Sequence, residues 1–140
     1  MNLVDRDGVE VLGHDECLRL ITSRGVGRIG IVDSGQPIIL PMNYQMVDDT
    51  VVMRTSAGTK LQHAQGSAAC FEVDEIDATT HAGWSVLAVG RLETITEYDE
   101  AKVRAARSLP LSPWAAGERS YWMRLVTQRL TGRRIGSALG

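Results

Sequence analysis

The chain has no excess of basic residues: 15 Lys and Arg stand against 17 Asp and Glu, for a formal net charge of −2. A protein held to nucleic acid through phosphate contacts carries a basic surplus gathered into a stripe. Neither feature is present, so nucleic acid is not the expected partner. No apolar run approaches the roughly 20 residues that a membrane-spanning helix needs. The opening Met1-Asn2-Leu3-Val4-Asp5-Arg6-Asp7 lacks the basic and apolar regions of a signal peptide. No membrane partner is expected, and the expected location is the cytoplasm.

Cysteine is scarce. Cys17 and Cys70 lie far apart, form no CxxC pair and have apolar neighbours, which predicts two buried free thiols rather than a disulfide. His14, His63 and His81 show neither HxxxH nor HxH spacing, so no metal site is expected. The Walker pattern GxxxxGK[ST] and the Rossmann fingerprint are both missing. There is no repeat, low-complexity tract or linker. With 140 residues and 44% hydrophobic content, the expectation is one compact domain spanning 1–140 around a single core.

What is present reads as short strands with three helical stretches. Cys17, Leu18, Leu20 and Ile21 give His14 to Ser23 a helical apolar face, with Gly25 placed to end it. Val26 to Val32 is β-branched and is followed by the turn Asp33-Ser34-Gly35-Gln36. A second strand runs from about Ile38 to Val47. Pro41 lies inside it and implies a sheet edge or a bulge, because proline donates nothing to a ladder. Asp48-Asp49 turns the chain into a third strand, Thr50 to Thr55, completing an antiparallel meander. A short helix is expected over Thr59 to Gln65, capped by Thr59 and closed by Gly66. Ala68 to Asp74 and Trp84 to Thr96 read as strands, and Asp99 to Arg107 as a helix. Leu109 to Trp114 contains two prolines and is not regular helix. Tyr121 to Val126 is a further strand, with Leu130 to Ile135 a terminal one. The predicted class is mainly β: a barrel of six to seven antiparallel strands with peripheral helices.

One segment has the chemistry of an anion site. Arg54 ends a strand and Lys60 opens a helix, with Thr55, Ser56, Gly58 and Thr59 between them. A phosphate needs positive charge, hydroxyl donors and converging backbone N–H groups. Arg54 offers a forked charge-assisted contact and Lys60 a point charge. A helix start offers free N–H groups. On spacing alone the same residues also read as an ordinary strand–turn–helix junction in which Thr and Ser only cap the helix. Glu72 and Asp74 share one strand face; exposure, or pairing with nearby arginines, explains them better than acid–base catalysis. No catalytic residue is assigned.

Six short patterns occur in order: Gly27-Arg28-Ile29-Gly30; Gly35-Gln36-Pro37 with Pro41-Met42-Asn43-Tyr44; Arg54-Thr55-x-x-Gly58-Thr59-Lys60-Leu61; Phe71-Glu72-Val73-Asp74; Gly83-Trp84-Ser85-Val86; and Thr131-Gly132-Arg133-Arg134. Over about residues 14 to 135 the chain resembles the pyridoxamine 5′-phosphate oxidase-like family of FMN-binding split β-barrels, in its small actinobacterial form. That resemblance implies a homodimer with two flavin sites at the subunit interface. It implies that Arg54, Thr55, Ser56, Thr59, Lys60 and Leu61 surround the FMN phosphate. It implies too that the strand Leu40 to Tyr44, with Pro41 and Asn43, lies along the flavin ring, and that Trp84 is either a contact from the facing chain or a core or interface tryptophan. The C-terminal substrate signature of true pyridoxamine phosphate oxidases is missing; Arg133 and Arg134 do not reproduce it. The expected function is therefore a flavin-dependent oxidoreductase acting on an unspecified small molecule. The deazaflavin F420 is an alternative cofactor, and a non-catalytic carrier or redox sensor an alternative role.

Overall fold

The computed structural model describes residues 3–4, 9–56, 59–95 and 120–136. Its strands are β1 (Leu3–Val4), β2 (Glu10–Val11), β3 (Val26–Asp33), β4 (Gln36–Val47), β5 (Thr50–Ser56), β6 (Ala68–Ile76), β7 (Gly83–Thr94) and β8 (Ser120–Ile135). Two helices are interspersed, α1 (His14–Thr22) and α2 (Lys60–His63). All strand pairs are antiparallel, in the order β1-β2-β8-β5-β4-β3-β6-β7, and β7 also pairs with β8. That last pairing closes β8-β5-β4-β3-β6-β7 into a six-stranded barrel, the expected class.

Alternation along the strands decides which side chains fill it. Ile29, Ile31, Met53, Phe71, Val73, Val86, Leu92, Met123 and Leu125 point inward and are buried. Tyr44 meets Phe71 edge-to-face at 4.9 Å between centroids, and its hydroxyl donates to the Ile21 carbonyl of α1. Both hairpin turns of the meander are two residues long with both at positive φ: Ser34 and Gly35, then Asp48 and Asp49. Paired positive φ angles match the right-handed twist of the flanking strands.

Several expectations need adjusting. The two strands foreseen at 121–126 and 130–135 are one, β8, in which Gln128 is an extra residue: Val89 pairs with Arg129 and Gly90 with Thr127. A bulge bends a strand without ending it. The first helix spans the expected residues, but Ser23 rather than Gly25 ends it, its N–H and hydroxyl both bonding the Leu20 carbonyl at 3.1 and 2.6 Å. Cys17 is fully buried, but Cys70 lies on the outer barrel face and is only half-buried. The two-residue strands β1 and β2 are too short for an alternating pattern to reveal. The helix foreseen at 99–107 and the stretch 109–114 lie outside the described residues. Among the described residues, no helix is long and apolar enough to cross a membrane.

Candidate functional site

The residues 54–56 and 59–61 cluster where β5 leaves the barrel and the chain turns into α2. Thr59 caps α2, its hydroxyl accepting the Gln62 N–H at 3.3 Å, and the hydroxyls of Thr55 and Thr59 lie 2.9 Å apart. Leu61 is 2% exposed and anchors the turn in the core, whereas Lys60 points to solvent. Ser56 continues the β5–β8 ladder opposite Ser120; its side chain and Gly58 lie outside the description. Arg54 is half-buried with its guanidinium carbon 5.8 Å from the Trp122 ring centroid. Its Nε is shut off from solvent and, among the described residues, has no hydrogen-bond partner. A buried guanidinium nitrogen without an acceptor is costly, and an anion at this corner would supply one. The residues therefore fit a phosphate. The helix contributes less than its sequence promised, since α2 has only four residues. A macrodipole needs aligned peptides over several turns, so Arg54, Lys60 and the hydroxyls are the groups left to hold an anion here.

Beside this corner, the barrel wall opens. Strand β4 pairs with β3 over Gln36–Asn43 but with β5 only over Tyr44–Val47. Beyond Tyr44 and Met53 the two strands part, and one further step of register would set Asn43 opposite Arg54. The Tyr44 N–H bonds the Gly25 carbonyl at 3.0 Å, so even-numbered β4 residues turn their backbone groups toward β3 and odd-numbered ones toward the opening. Pro37 and Pro41 are both odd. Of the sheet edge or bulge that Pro41 implies, the structure has the edge, and the missing N–H groups fall on the side where the described residues provide no strand. What remains there is a backbone rich in acceptors, with few donors, the Ile39 N–H among them.

Trp84 is elsewhere in the same chain. It pairs with Arg134 on β8, whereas Arg54 pairs with Trp122; residues 122 and 134 are separated by roughly 40 Å of strand at ~3.3 Å per residue. Half-buried Trp84 lines a cleft of about 570 Å³ with Glu75, Asp77, Ala82, Arg134 and Ile135. Arg24, ion-paired to Glu75, lies 5.9 Å from the Trp84 ring centroid. The backbone explains Gly83 beside it: a Cβ there would sit 2.0 Å from the Glu75 carbonyl oxygen.

The remaining polar groups are structural or unassigned. Glu72 and Asp74 do pair with an arginine, Arg28, each at 3.0 Å. Gly27 next to it has no room for a side chain, since a Cβ would lie 2.4 Å from the Phe71 ring. Burial first, then the Glu16 charge, raises the Cys17 thiol pKa, which suits an inert core thiol. His14, His63 and His81 are exposed, and no metal-ligating cluster occurs among the described residues. The place of Trp122 beside Arg54 depends on the β5–β8 register, which no local pattern encodes.

Comparison with known proteins agrees with this fold. Residues 13–134 match the family described as pyridoxamine 5′-phosphate oxidase. An uncharacterized Mycobacterium tuberculosis protein, Rv0080, is 31% identical over 136 residues, covering 93% of this chain and 87% of its own length. The solved structure of an FAD binding protein from Mycobacterium smegmatis is similar with a TM-score of 0.74 and 34% identity, over 89% of this chain and 98% of that one. An FAD-binding protein from Mesorhizobium loti gives a TM-score of 0.71 over 90% of this chain and 96% of its own; at 22% identity it speaks for the fold alone.

Proposed function

The chain belongs to the pyridoxamine 5′-phosphate oxidase family, and from that premise we propose that it binds a flavin nucleotide, FMN first, and works as a flavin-dependent oxidoreductase. The observation that carries this reading is the orphaned, buried Nε of Arg54 at a corner also supplied by Thr55, Thr59 and Lys60. Arg54 and Lys60 hold the cofactor phosphate, with the two threonine hydroxyls and Ser56 as further donors. Leu61 locks this turn against the core so that the donors keep their aim. The open β4 edge from Ile39 to Asn43 offers backbone groups to the ring, and Pro41 keeps that edge from being sealed by another strand. The flavin, when bound, supplies the hydride and electron chemistry. No side chain of the described residues is assigned as acid or base.

The homodimer is part of the proposal. Arg54 and Trp84 lie too far apart along β8 to meet on one flavin in one chain, so a second copy would present its Trp84 to the first copy's cofactor. Mixing the variants Arg54→Ala and Trp84→Ala tests this directly. Each alone binds flavin weakly. A statistical mixture regains about a quarter of wild-type capacity, because half the dimers then carry one intact site of two. No recovery on mixing would put Trp84 outside the site.

The FAD-binding relative at 34% identity favours a second cofactor, FAD, through the same phosphate contacts. Absorption spectra of the purified protein, with identification of the ligand released on denaturation, separate FMN, FAD and F420. Protein that is colourless and takes up none of the three would overturn the reading. Turnover of NAD(P)H or reduced F420 with a panel of acceptors then separates an oxidoreductase from a carrier or redox sensor.

A further inference from the structure

The outer face of β3 and β6 holds a charge arrangement that neither the phosphate corner nor the ring edge uses. Arg28 lies directly across from Glu72. One guanidinium nitrogen, Nη1, is 3.0 Å from Glu72 Oε1 and 3.0 Å from Asp74 Oδ2. The carboxylate side chains are only 31% and 26% exposed. Two carboxylates thus share one cation, and with both ionised the group carries a net negative charge. The other strands provide no relief. Leu87 and Ser85 of β7 lie across from Glu72 and Asp74, and Pro41 of β4 lies across from Arg28. Cys70, the outward neighbour on β6, brings no basic group, and Arg133 of β8 is one strand further on, opposite Ser85. Among the described residues, Arg28 is the cation that faces this carboxylate pair.

Apolar side chains stand exposed around the group. Val26 (52%), Val32 (58%) and Ile39 (71%) are exposed on β3 and β4 around it. The outer face of β4, β3, β6 and β7 measures roughly 20 Å by 25 Å from strand spacing and rise. With side-chain relief, that approaches the ~800 Å² per partner of a standard interface. A second copy of the chain is the occupant that the homodimer reading above requires, and an isologous contact would bring two such groups into one interface.

Resting on that reading, we propose that association of two copies through this face is governed by pH: tight while the Arg28–Glu72–Asp74 group keeps a proton, weaker once it loses it. The proton closes the group to neutrality, the Glu72 acid donating to the Asp74 carboxylate while Arg28 neutralises the latter. Burial, followed by the hydrogen bond and charge of Asp74, raises the Glu72 pKa from 4.5 to about 7 against the opposing pull of Arg28. Covering the face buries the carboxyl further and raises its proton affinity again. A group whose pKa is higher in the dimer strengthens the dimer below the free-chain value, and that contribution is lost as pH rises through the dimer value.

The test is the dimer dissociation constant of the full chain, measured by fluorescence-detected sedimentation across about pH 6 to 8.5 at fixed ionic strength, with and without saturating FMN. Flavin absorbance is read in parallel. The wild type is expected to dissociate at least about tenfold more readily at the upper end, two protons per dimer setting a ceiling near a hundredfold per pH unit. Glu72→Gln, a neutral donor of the same shape, is expected to stay tightly dimeric with a flat profile. Asp74→Asn, which leaves Glu72 alone with Arg28, is expected to flatten it as well. A wild-type dimer whose constant does not change with pH overturns this inference and leaves the homodimer reading standing, as does a Glu72→Gln protein that keeps the wild-type profile. A chain monomeric at every pH and concentration overturns both.

Discussion

The two ends of β8 hold arginines in opposite circumstances. At the C-terminal end Arg134 is tied to Glu10 and Glu16 at 3.3 and 3.1 Å, pinning β2 and α1 to the barrel. At the N-terminal end Arg54, opposite Trp122, keeps a buried Nε with no acceptor. Both side chains stand at the rim of the same sheet, and both have an aromatic neighbour close by in the ladder. One arginine is a fastener whose partners come from its own chain. The other keeps an unused donor, and under the proposed function its partner comes from outside. An arginine type and its strand position therefore say little about role; the accounting of its donors says a great deal.

The largest expected effect breaks this contrast at the open end. Arg54→Ala should weaken flavin binding by about 10- to 100-fold, the span that a lost charge-assisted hydrogen bond produces, while thermal stability stays level or rises. Lys60→Ala, at an exposed point charge, should cost less, a few-fold in the same titration. Unchanged affinity in both variants would move the phosphate elsewhere. At the fastened end the sign reverses. Arg134→Met should lower unfolding stability by about 1 kcal/mol, a figure kept small because the side chain is 37% exposed and its ion pairs are partly screened. Urea titration reads it, and a more stable Arg134→Met protein would mean the two ends do not differ as argued.

The smallest effect concerns acid. The hydrogen bond from Arg19 first, and then those with Arg134, hold the Glu16 pKa down to about 2 against the opposing desolvation. A depressed folded-state pKa contributes stability that is present above the ordinary carboxylate value of 4.5 and lost as pH falls toward 2. Glu16→Gln should therefore flatten the acid limb of the stability profile in that window, lowering stability slightly above about pH 5 and converging with the wild type as pH falls toward 2. An acid limb identical to wild type would show that Glu16 does not fasten this end.

Much of the barrel was legible before any coordinates. Val26 to Val47 announces a hairpin because alternation has period two and Ser34-Gly35 tolerates positive φ. Pro41 announced an edge or a bulge because its missing donor must fall where no ladder runs. The site was half-legible: Arg54, Thr55, Thr59 and Lys60 are local, so their chemistry could be read, but an ordinary capped turn offers the same residues. The orphaned Nε that tips the balance depends on Trp122, nearly seventy positions away in the chain. The short length of α2 was hidden as well, since capping residues mark where a helix starts better than where it stops.

By itself, the sequence determined the strand class, the turns, the capping threonine and the set of groups able to hold an anion. These follow from dihedral preference, side-chain period and functional-group chemistry, which act over a few neighbouring residues. Tertiary structure alone decided the rest: that β8 runs unbroken through a bulge to close the barrel, that β4 and β5 part beside Arg54, and that Trp84 lies at the far end of β8. Register across a sheet is set by which inner faces pack together, and that is a property of the whole core rather than of any segment.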